Sequence, residues 1–354
     1  MDTIIGMTAS QWWALLQDND YGVDRRYYAR AARATRQSLF SSTAARRTQR
    51  RYQDAIAEIA VESPFIVIGH WRSGTTLLHE VLAKDARFAY PTIADVSNPN
   101  SFVSMKPNGR ENVEKSRPMD SVTINPNSPA EDEFACCKLS LRSPLFSWNF
   151  PRNEAYYDRF LTFRDAEPDD CERWRTSFIW FLKGLTLKYG KQLLLKSPPH
   201  TARLRLILEI FPEAHFIHIY RNPYDVYRST KNLFDKLIID EYLQSPKRGQ
   251  IDDSILRRYV DMYDAFFDDV HLIPQGHYHE VRFEDFEKDI VGQSAEIYEA
   301  LLMTGFEAVK PKIEAFVASN ADYQKNITRP LPDDVRHRVA ERWGRNFEIW
   351  GYPT

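Results

Sequence analysis

Gly69 and Gly74, in the stretch Val67-Ile-Gly-His-Trp-Arg-Ser-Gly-Thr-Thr-Leu-Leu-His-Glu80, have the spacing of a loop that wraps a phosphate. In the pattern G-x-x-x-x-G-K-[ST] a lysine follows the second glycine, but here that position is Thr75, and Thr76 comes next. A phosphate needs backbone N–H donors at a helix N-terminus and small residues that let the backbone come close. Ser73-Gly74-Thr75-Thr76 supplies both and adds hydroxyl donors. The lysine of a Walker loop spans the β- and γ-phosphates, and its serine or threonine binds magnesium. Without that lysine a triphosphate is disfavoured, whereas a single phosphate beside a cation is still served, and Arg72 is that cation. Taken alone, the segment also reads as a Gly-Thr-rich helix start.

A second cation stands in Arg221-Asn-Pro-Tyr-Asp-Val-Tyr-Arg-Ser229, directly after an apolar run read below as a strand. That places Arg221 at the carboxyl end of a sheet, where open α/β folds bind ligands. Its guanidinium can grip a phosphate through a two-pronged charged hydrogen bond, with the Ser229 hydroxyl beside it. Two separate phosphate sites, neither built for a pyrophosphate chain, suit a nucleotide phosphorylated in two places. By itself Arg221 reads equally as a helix-capping or salt-bridging residue.

The elements that must hold these residues are legible in outline. Pro64-Phe-Ile-Val-Ile-Gly69 is short, β-branched and bounded by Pro and Gly, the pattern of a buried strand, and Thr75 to Leu82 has helical character. Gln192 to Lys196 and His215 to Tyr220 are further strands, each followed by a helical segment, His200 to Phe211 and Tyr224 to Leu237. A strand at Tyr278 to Phe283 and a helix at Asp333 to Trp350 come late. Strands alternating with helices predict a P-loop-like parallel sheet flanked by helices. This gives an α/β class with an N-terminal helical extension over 1–60 and a single domain over 61–354. Pro91 to Pro129, rich in proline and asparagine, is long for a loop inside a compact domain and reads as part of a substrate cover.

With 354 residues, 43% of them hydrophobic and 13% aromatic, the chain can bury a sizeable core. A net charge of -2 argues against a general polyanion binder and speaks against nucleic acid as a partner. Residues 25–51 nevertheless carry nine arginines and no acid. They read first as the solvated face of one or two helices, with nucleic acid or acidic lipid as the alternative. Three cysteines, two of them adjacent at 136 and 137, make no disulfide framework. No basic stretch precedes an apolar run at the N-terminus, and no apolar run reaches the ~18 residues of a membrane span. A cytoplasmic protein is expected, with no membrane span and with homo-oligomerisation left open.

The motifs together resemble a known family. Arg72-Ser-Gly-Thr-Thr-Leu77 is similar to the 5'-phosphosulfate loop of sulfotransferases that use 3'-phosphoadenosine 5'-phosphosulfate (PAPS), and Arg221 with Ser229 matches the spacing of their 3'-phosphate motif. The likeness runs from about Pro64 to Asp285. Arginine before Ser-Gly-Thr-Thr, Leu195-Lys-Ser-Pro-Pro-His200 and Phe211-Pro-Glu-Ala-His-Phe216 resemble the tyrosylprotein and broad bacterial branches. The resemblance implies PAPS as donor, PAP as product, no metal, and a small-molecule or glycan acceptor. It implies that Arg72, Ser73, Gly74, Thr75, Thr76, Leu77, Arg221 and Ser229 bind the donor. Cytosolic aryl and steroid members place a catalytic histidine where this chain has Pro198, a tryptophan where it has Leu77 and a tyrosine where it has Phe283. Nothing near Lys325 to Arg329 matches their late Arg-Lys-Gly loop.

Sulfuryl transfer needs cations where charge builds on the departing phosphate, and a group to accept the acceptor's proton. Arg72 and Lys196 are the electrophilic pair. For the base, Ser128-Pro-Ala-Glu-Asp-Glu133 offers three acids. Ser128, Pro129 and Glu131 read as a capping box, which leaves Glu133, beside the stripe Phe134, Cys137 and Leu141, to face the interior. Asp95 is the rival, followed by His200 and His79. The aromatics from Phe146 to Phe163 are core or an acceptor pocket. A magnesium-dependent P-loop kinase or ATPase is the alternative, on the strength of Leu237-Ile-Ile-Asp-Glu241, which resembles a Walker B strand, although the run follows the helix bearing Ser229 directly and its apolar residues extend that helix's pattern. A non-catalytic scaffold is a third reading.

Overall fold

The structure is a computed structural model and describes residues 2–105, 115–116, 123–320 and 330–354; Lys325 to Arg329 and much of the proline-rich span lie outside them. Helix α1 (Ala9–Gln17) starts at Thr8, whose hydroxyl accepts from Gln11 N while the Gln11 side chain accepts from Thr8 N, a closed capping box. The long helix α2 (Tyr28–Glu58) follows. Strand β1 (Phe65–Ile68) passes through the glycine loop into α3 (Thr75–Leu82) and the short β2 (Phe88–Ala89). Next come α4 (Ile93–Ser97), a two-stranded ribbon of β3 (Lys115–Ser116) and β4 (Thr123–Ile124), α5 (Glu133–Ser140), α6 (Glu154–Thr162) and α7 (Pro168–Tyr189). Pro168 at its first position and left-handed Gly190 after its last fix both ends of α7. The remaining elements are β5 (Gln192–Lys196), α8 (Leu204–Ile210), β6 (His215–Tyr220), α9 (Pro223–Lys236), α10 (Gln250–Asp269) and β7 (Tyr278–Arg282). Among the described residues four helices follow: α11 (Phe283–Lys288), α12 (Ile290–Ala300), α13 (Phe306–Ser319) and α14 (Asp333–Ile349).

The main sheet has five strands in the order β2-β5-β1-β6-β7. β1 pairs in parallel with β5 (Phe65 opposite Leu194) and with β6 (Phe65 opposite His215), and β6 pairs in parallel with β7. All four residues of β1 are buried, as expected for a strand covered on both faces. Phe65, Val67, Ile217 and Ile219 share one face with Leu78, Val81 and Leu82 of α3 and with Phe286, Ile297 and Ile313. Ile66 and Phe216 are buried on the other face. Among the described residues no helix is long and apolar enough to cross a membrane.

The chain forms two compact units. The first comprises Met1–Glu62, Ala89–Leu193 and Lys236–Arg248; the second comprises Ser63–Phe88, Leu194–Asp235 and Gly249–Thr354. In the first, the aromatics from Phe146 to Phe163 are core: Phe146, Tyr157 and Phe160 are fully buried, and Phe163 packs on Trp174, which stacks on Phe178 at 4.8 Å. A ring of this size taken out of water contributes roughly 2–3 kcal/mol.

In the first unit the alternative of a Walker B strand is set aside and one sequence expectation, the capping box at Ser128, is corrected. Residues 238–241 form a 3-10 turn rather than a Walker B strand. Glu241 there is tied to the N-terminus, accepting from Thr3 Oγ1 at 2.7 Å and from Arg30 Nη2 at 2.9 Å. Ser128 does not cap a helix. Its hydroxyl accepts from Asn125 N, and α5 begins only at Glu133, with no side-chain cap, so Glu131 lies outside the helix. In a chain that turns back on itself at Asn125, the nearest N–H for that hydroxyl belongs to the turn.

Candidate phosphate-binding site

β1 and β6 are parallel neighbours, so their carboxyl ends open on the same edge of the sheet, β1 into the glycine loop and β6 into Arg221. Both glycines are required by the backbone. Gly69 has φ +141°, and a Cβ there would sit 2.3 Å from Ile219 O; Gly74 has φ +105°, and a Cβ would sit 2.2 Å from the Phe283 ring. Between them the loop is closed by its own side chains. Ser73, fully buried, donates its hydroxyl to His70 O at 2.8 Å. Gly69 N donates to Thr201 Oγ1 at 2.8 Å and His70 N to Tyr263 OH at 3.3 Å. Arg72 is left-handed at φ +72°, a conformation that costs a non-glycine residue of order 1–3 kcal/mol and persists where the surroundings over-determine it.

His70 is buried against Tyr259 and Tyr263, and its Nδ1 donates to Trp71 O at 2.8 Å. Burial pushes its imidazole down to about 4, so it stands in the loop as a neutral hydrogen-bonding group and adds no charge at neutral pH. The helix beyond the loop starts without a side-chain cap. Its first-turn N–H groups have no intrahelical acceptor, which with the helix dipole makes that end of α3 suited to an anion.

The cations converge here. Arg72 Nε donates to Ser229 Oγ at 2.9 Å, and Arg221 Nη1 approaches Arg72 O at 3.5 Å. The loop arginine and the second motif are therefore in direct contact. The Arg221 guanidinium lies 4.4 Å above the centre of the Phe283 ring, and that ring packs on Gly74. Asp225, four residues on, is close-paired with Arg228 and stands 3.9 Å from Arg221. Among the described residues Arg221 Nε is buried without a hydrogen-bond partner, as are Trp71 Nε1 and Thr230 Oγ1. A buried donor with nothing to donate to is costly unless a ligand meets it, and such donors beside Arg72, Arg221 and Ser229 fit an anionic ligand. Lys196, at the end of β5 and 3% exposed, reaches Thr76 Oγ1 at 3.5 Å.

Arg72 to Leu77, Lys196, His200, Arg221 and Ser229 all belong to the second unit. Thr75 is buried and Thr76 half-buried, while Leu77 packs partly into the core. His200 is fully buried in a 3-10 turn over Pro198–Ala202, between β5 and α8. His79 faces the sheet, its Nε2 3.3 Å from Leu194 O. Glu133 and Asp95 belong to the first unit. Glu133 is fully buried and accepts from Ser143 Oγ at 2.6 Å. Asp95 closes the capping box of α4, its Oδ2 accepting from Thr92 N, Thr92 Oγ1 and Tyr189 OH, while its Oδ1 accepts from Lys188 Nζ at 2.6 Å. A carboxylate has about four acceptor positions, and these four bonds engage it in holding the fold. Thr201, Tyr263 and Phe283 support the loop without any spacing signal in the sequence; Phe283 was noticeable only as a departure from a tyrosine pattern. Among the described residues no group of three or more His, Cys, Asp or Glu is placed to hold a metal ion.

Comparison with known proteins adds an independent line. A model of the sulfotransferase family matches residues 64–307. The omega-hydroxy-beta-dihydromenaquinone-9 sulfotransferases Stf3 of Mycobacterium bovis and of Mycobacterium tuberculosis are each 32% identical over 98% of this chain and 90% of theirs. Among solved structures, sulfotransferase STF9 from Mycobacterium avium superposes with a TM-score of 0.67 at 15% identity, over 98% of this chain and 97% of that one. Sulfotransferase STF1 from Mycobacterium tuberculosis does so with 0.62 at 17%, over 95% and 92%. At such identities the likeness to the two structures speaks for the fold.

Proposed function

The chain belongs to the sulfotransferase family, and from that premise we propose that it moves a sulfuryl group from PAPS to a hydroxyl or amine of a small-molecule acceptor, in line and without a metal ion. The observation that carries the choice of donor is the pair of arginines, Arg72 touching Ser229 and Arg221 lying over the Phe283 ring with its Nε buried and without a partner among the described residues. Such an arrangement suits a nucleotide with separate 5' and 3' anionic groups better than a pyrophosphate chain.

Bound PAPS supplies an activated sulfuryl group and departs as PAP. In this reading Thr75, Thr76 and the first-turn N–H groups of α3 hold the 5'-phosphate, with Ser73 and Gly74 shaping the backbone around it. Arg221 and Ser229 hold the 3'-phosphate. Lys196 and Arg72 place positive charge where negative charge grows on the leaving oxygen, the task a magnesium ion performs in P-loop enzymes. With Asp95 engaged in structure, Glu133 and His200 are the candidates for taking the acceptor's proton. The relative Stf3 is named for an omega-hydroxylated menaquinone, and a hydroxyl on an apolar, lipid-like molecule is the acceptor class we assign to this chain.

Thermal denaturation in the presence of PAP or of magnesium-ATP tests the donor. A ligand that binds only the folded state adds RT ln(1 + [L]/Kd), so PAP at ~100 Kd is expected to add about 2.7 kcal/mol. Stabilisation by magnesium-ATP with none by PAP would return the loop to the kinase or ATPase reading.

A further inference from the structure

Helix α2 presents two unlike faces. Ala34, Ser38, Ser42 and Ile56 are buried along one side, where Ala9 N donates to Ser42 Oγ at 2.7 Å and Trp12 Nε1 to Thr35 Oγ1 at 2.9 Å. On the opposite side Arg33, Arg36, Arg46, Arg47, Arg50 and Arg51 are exposed. Positions 33, 36, 40, 47 and 51 follow the three- and four-residue steps of one helical stripe, with 39, 46 and 50 beside it. Two large apolar side chains sit among the guanidinium groups, Leu39 at 59% and Phe40 at 72% exposure. No aspartate or glutamate occurs from residue 25 to residue 51. Among the described residues none of the six arginines makes an ion pair.

We propose that this face of α2 docks the protein on the surface of an anionic lipid bilayer. At about 1.5 Å per residue the stripe from Arg33 to Arg51 is about 27 Å long, so its six guanidinium groups can meet several headgroup phosphates at once. Charge alone would equally suit a nucleic acid, but Leu39 and Phe40 separate the two. On a duplex they would stay in water, whereas at a bilayer they enter the boundary between headgroups and acyl chains, as the apolar residues of interfacial helices do. Their exposure at the centre of a basic stripe is then used rather than wasted. Docking of this kind requires nothing of the phosphate loop, and it holds whatever the enzyme's donor is.

Vesicle flotation with the full chain tests it, comparing phosphatidylglycerol–phosphatidylcholine vesicles with pure phosphatidylcholine at ~0.1 M salt. The protein is expected to float with the anionic vesicles only and to be released as salt rises, since charges beyond a Debye length of about 10 Å at 0.1 M are screened. Arg36→Glu/Arg47→Glu/Arg50→Glu should weaken binding at least about a hundredfold, at roughly fivefold per lost cation. Leu39→Ser/Phe40→Ser should weaken vesicle binding while leaving any affinity for a DNA duplex unchanged. Equal flotation with both vesicle types, indifference to salt, or a duplex bound more tightly than the anionic vesicles would overturn the proposal. The first two comparisons use only the unmodified protein, so they decide the matter even where a variant fails to fold.

Discussion

Arg221 lies over the Phe283 ring, its Nε buried and without a partner among the described residues, while Asp225 is taken by Arg228. An arginine held this way is oriented before any ligand arrives, so little side-chain entropy is lost on binding. If it grips only the 3'-phosphate, Arg221→Ala should weaken PAP by ten- to hundredfold, the effect of losing charged hydrogen bonds of ~1.5–3 kcal/mol. Adenosine 5'-phosphosulfate, which lacks that phosphate, should be little affected; calorimetric titration of both ligands checks this, and equal losses would show that Arg221 serves some other part of the nucleotide. Lys196 should behave differently. Charge on the leaving oxygen grows mainly in the transition state, so Lys196→Ala should lower kcat far more than it weakens PAP. Of Glu133→Gln and His200→Gln, one should lose roughly 10²- to 10⁴-fold in rate at unchanged PAP affinity, whereas Asp95→Asn should show itself chiefly as lost stability. Full activity in both of the first two variants would leave the chain without the proton acceptor we assign. At this scale the sequence was most readable where the chemistry dictates residue type, at Gly69, Gly74, Arg72 and Arg221. It was least readable for the carboxylates, because Asp95 and Glu131 differ only in which N–H groups the fold brings to them. Asp95 closes a capping box with Thr92, whereas the box expected at Ser128 and Glu131 does not form.

The loop from Gly69 to Gly74 works as an element because its interior is bonded before any ligand binds. Ser73 and His70 close it, Thr201 and Tyr263 anchor its first N–H groups, and Phe283 fills the space that a side chain at position 74 would need. His70 gives this element a pH signature. Its imidazole titrates near 4 in the folded protein and near 6.5 when free, so the unfolded chain binds the proton more readily. Stability should be complete above about pH 6.5 and should fall as pH drops towards 4, by an amount of about 3 kcal/mol at 1.36 kcal/mol per pH unit. Denaturation midpoints across that range, compared with those of His70→Asn, check this: the variant should flatten the profile, and an unchanged slope would place the acid sensitivity elsewhere. The strands were legible because buried parallel strands leave short unbroken apolar runs, as in Phe65–Ile68 and His215–Tyr220. The run Leu237-Ile-Ile has a similar composition but extends the apolar pattern of the helix before it, and it is not a strand. Its residues continue from α9 into a turn whose Glu241 is held by Thr3 and Arg30, partners more than two hundred residues away that no local pattern reveals.

In the whole molecule the residues assigned to donor binding are confined to the second unit, which carries β1, β6 and β7. The first unit contributes a helical core, the carboxylates Asp95 and Glu133, and the arginine face of α2. The N-terminal helices, which the sequence sets apart as an extension over 1–60, share that unit with residues 89–193 and 236–248, through bonds such as Thr48 to Ser104. Composition could not disclose this arrangement, because unit boundaries here follow contacts between distant segments rather than linkers. The central claim, metal-independent transfer from PAPS by a chain whose Arg72 and Lys196 take the place of magnesium, is tested most directly by one turnover measurement. The enzyme is incubated with PAPS, a hydroxylated isoprenoid quinone in detergent and excess EDTA, and the acceptor is followed by mass spectrometry beside the release of PAP. The expected result is an acceptor that gains one sulfuryl group, with equimolar PAP and a rate unchanged by EDTA. Turnover abolished by EDTA, or a phosphorylated acceptor formed from magnesium-ATP in place of a sulfated one, would contradict it.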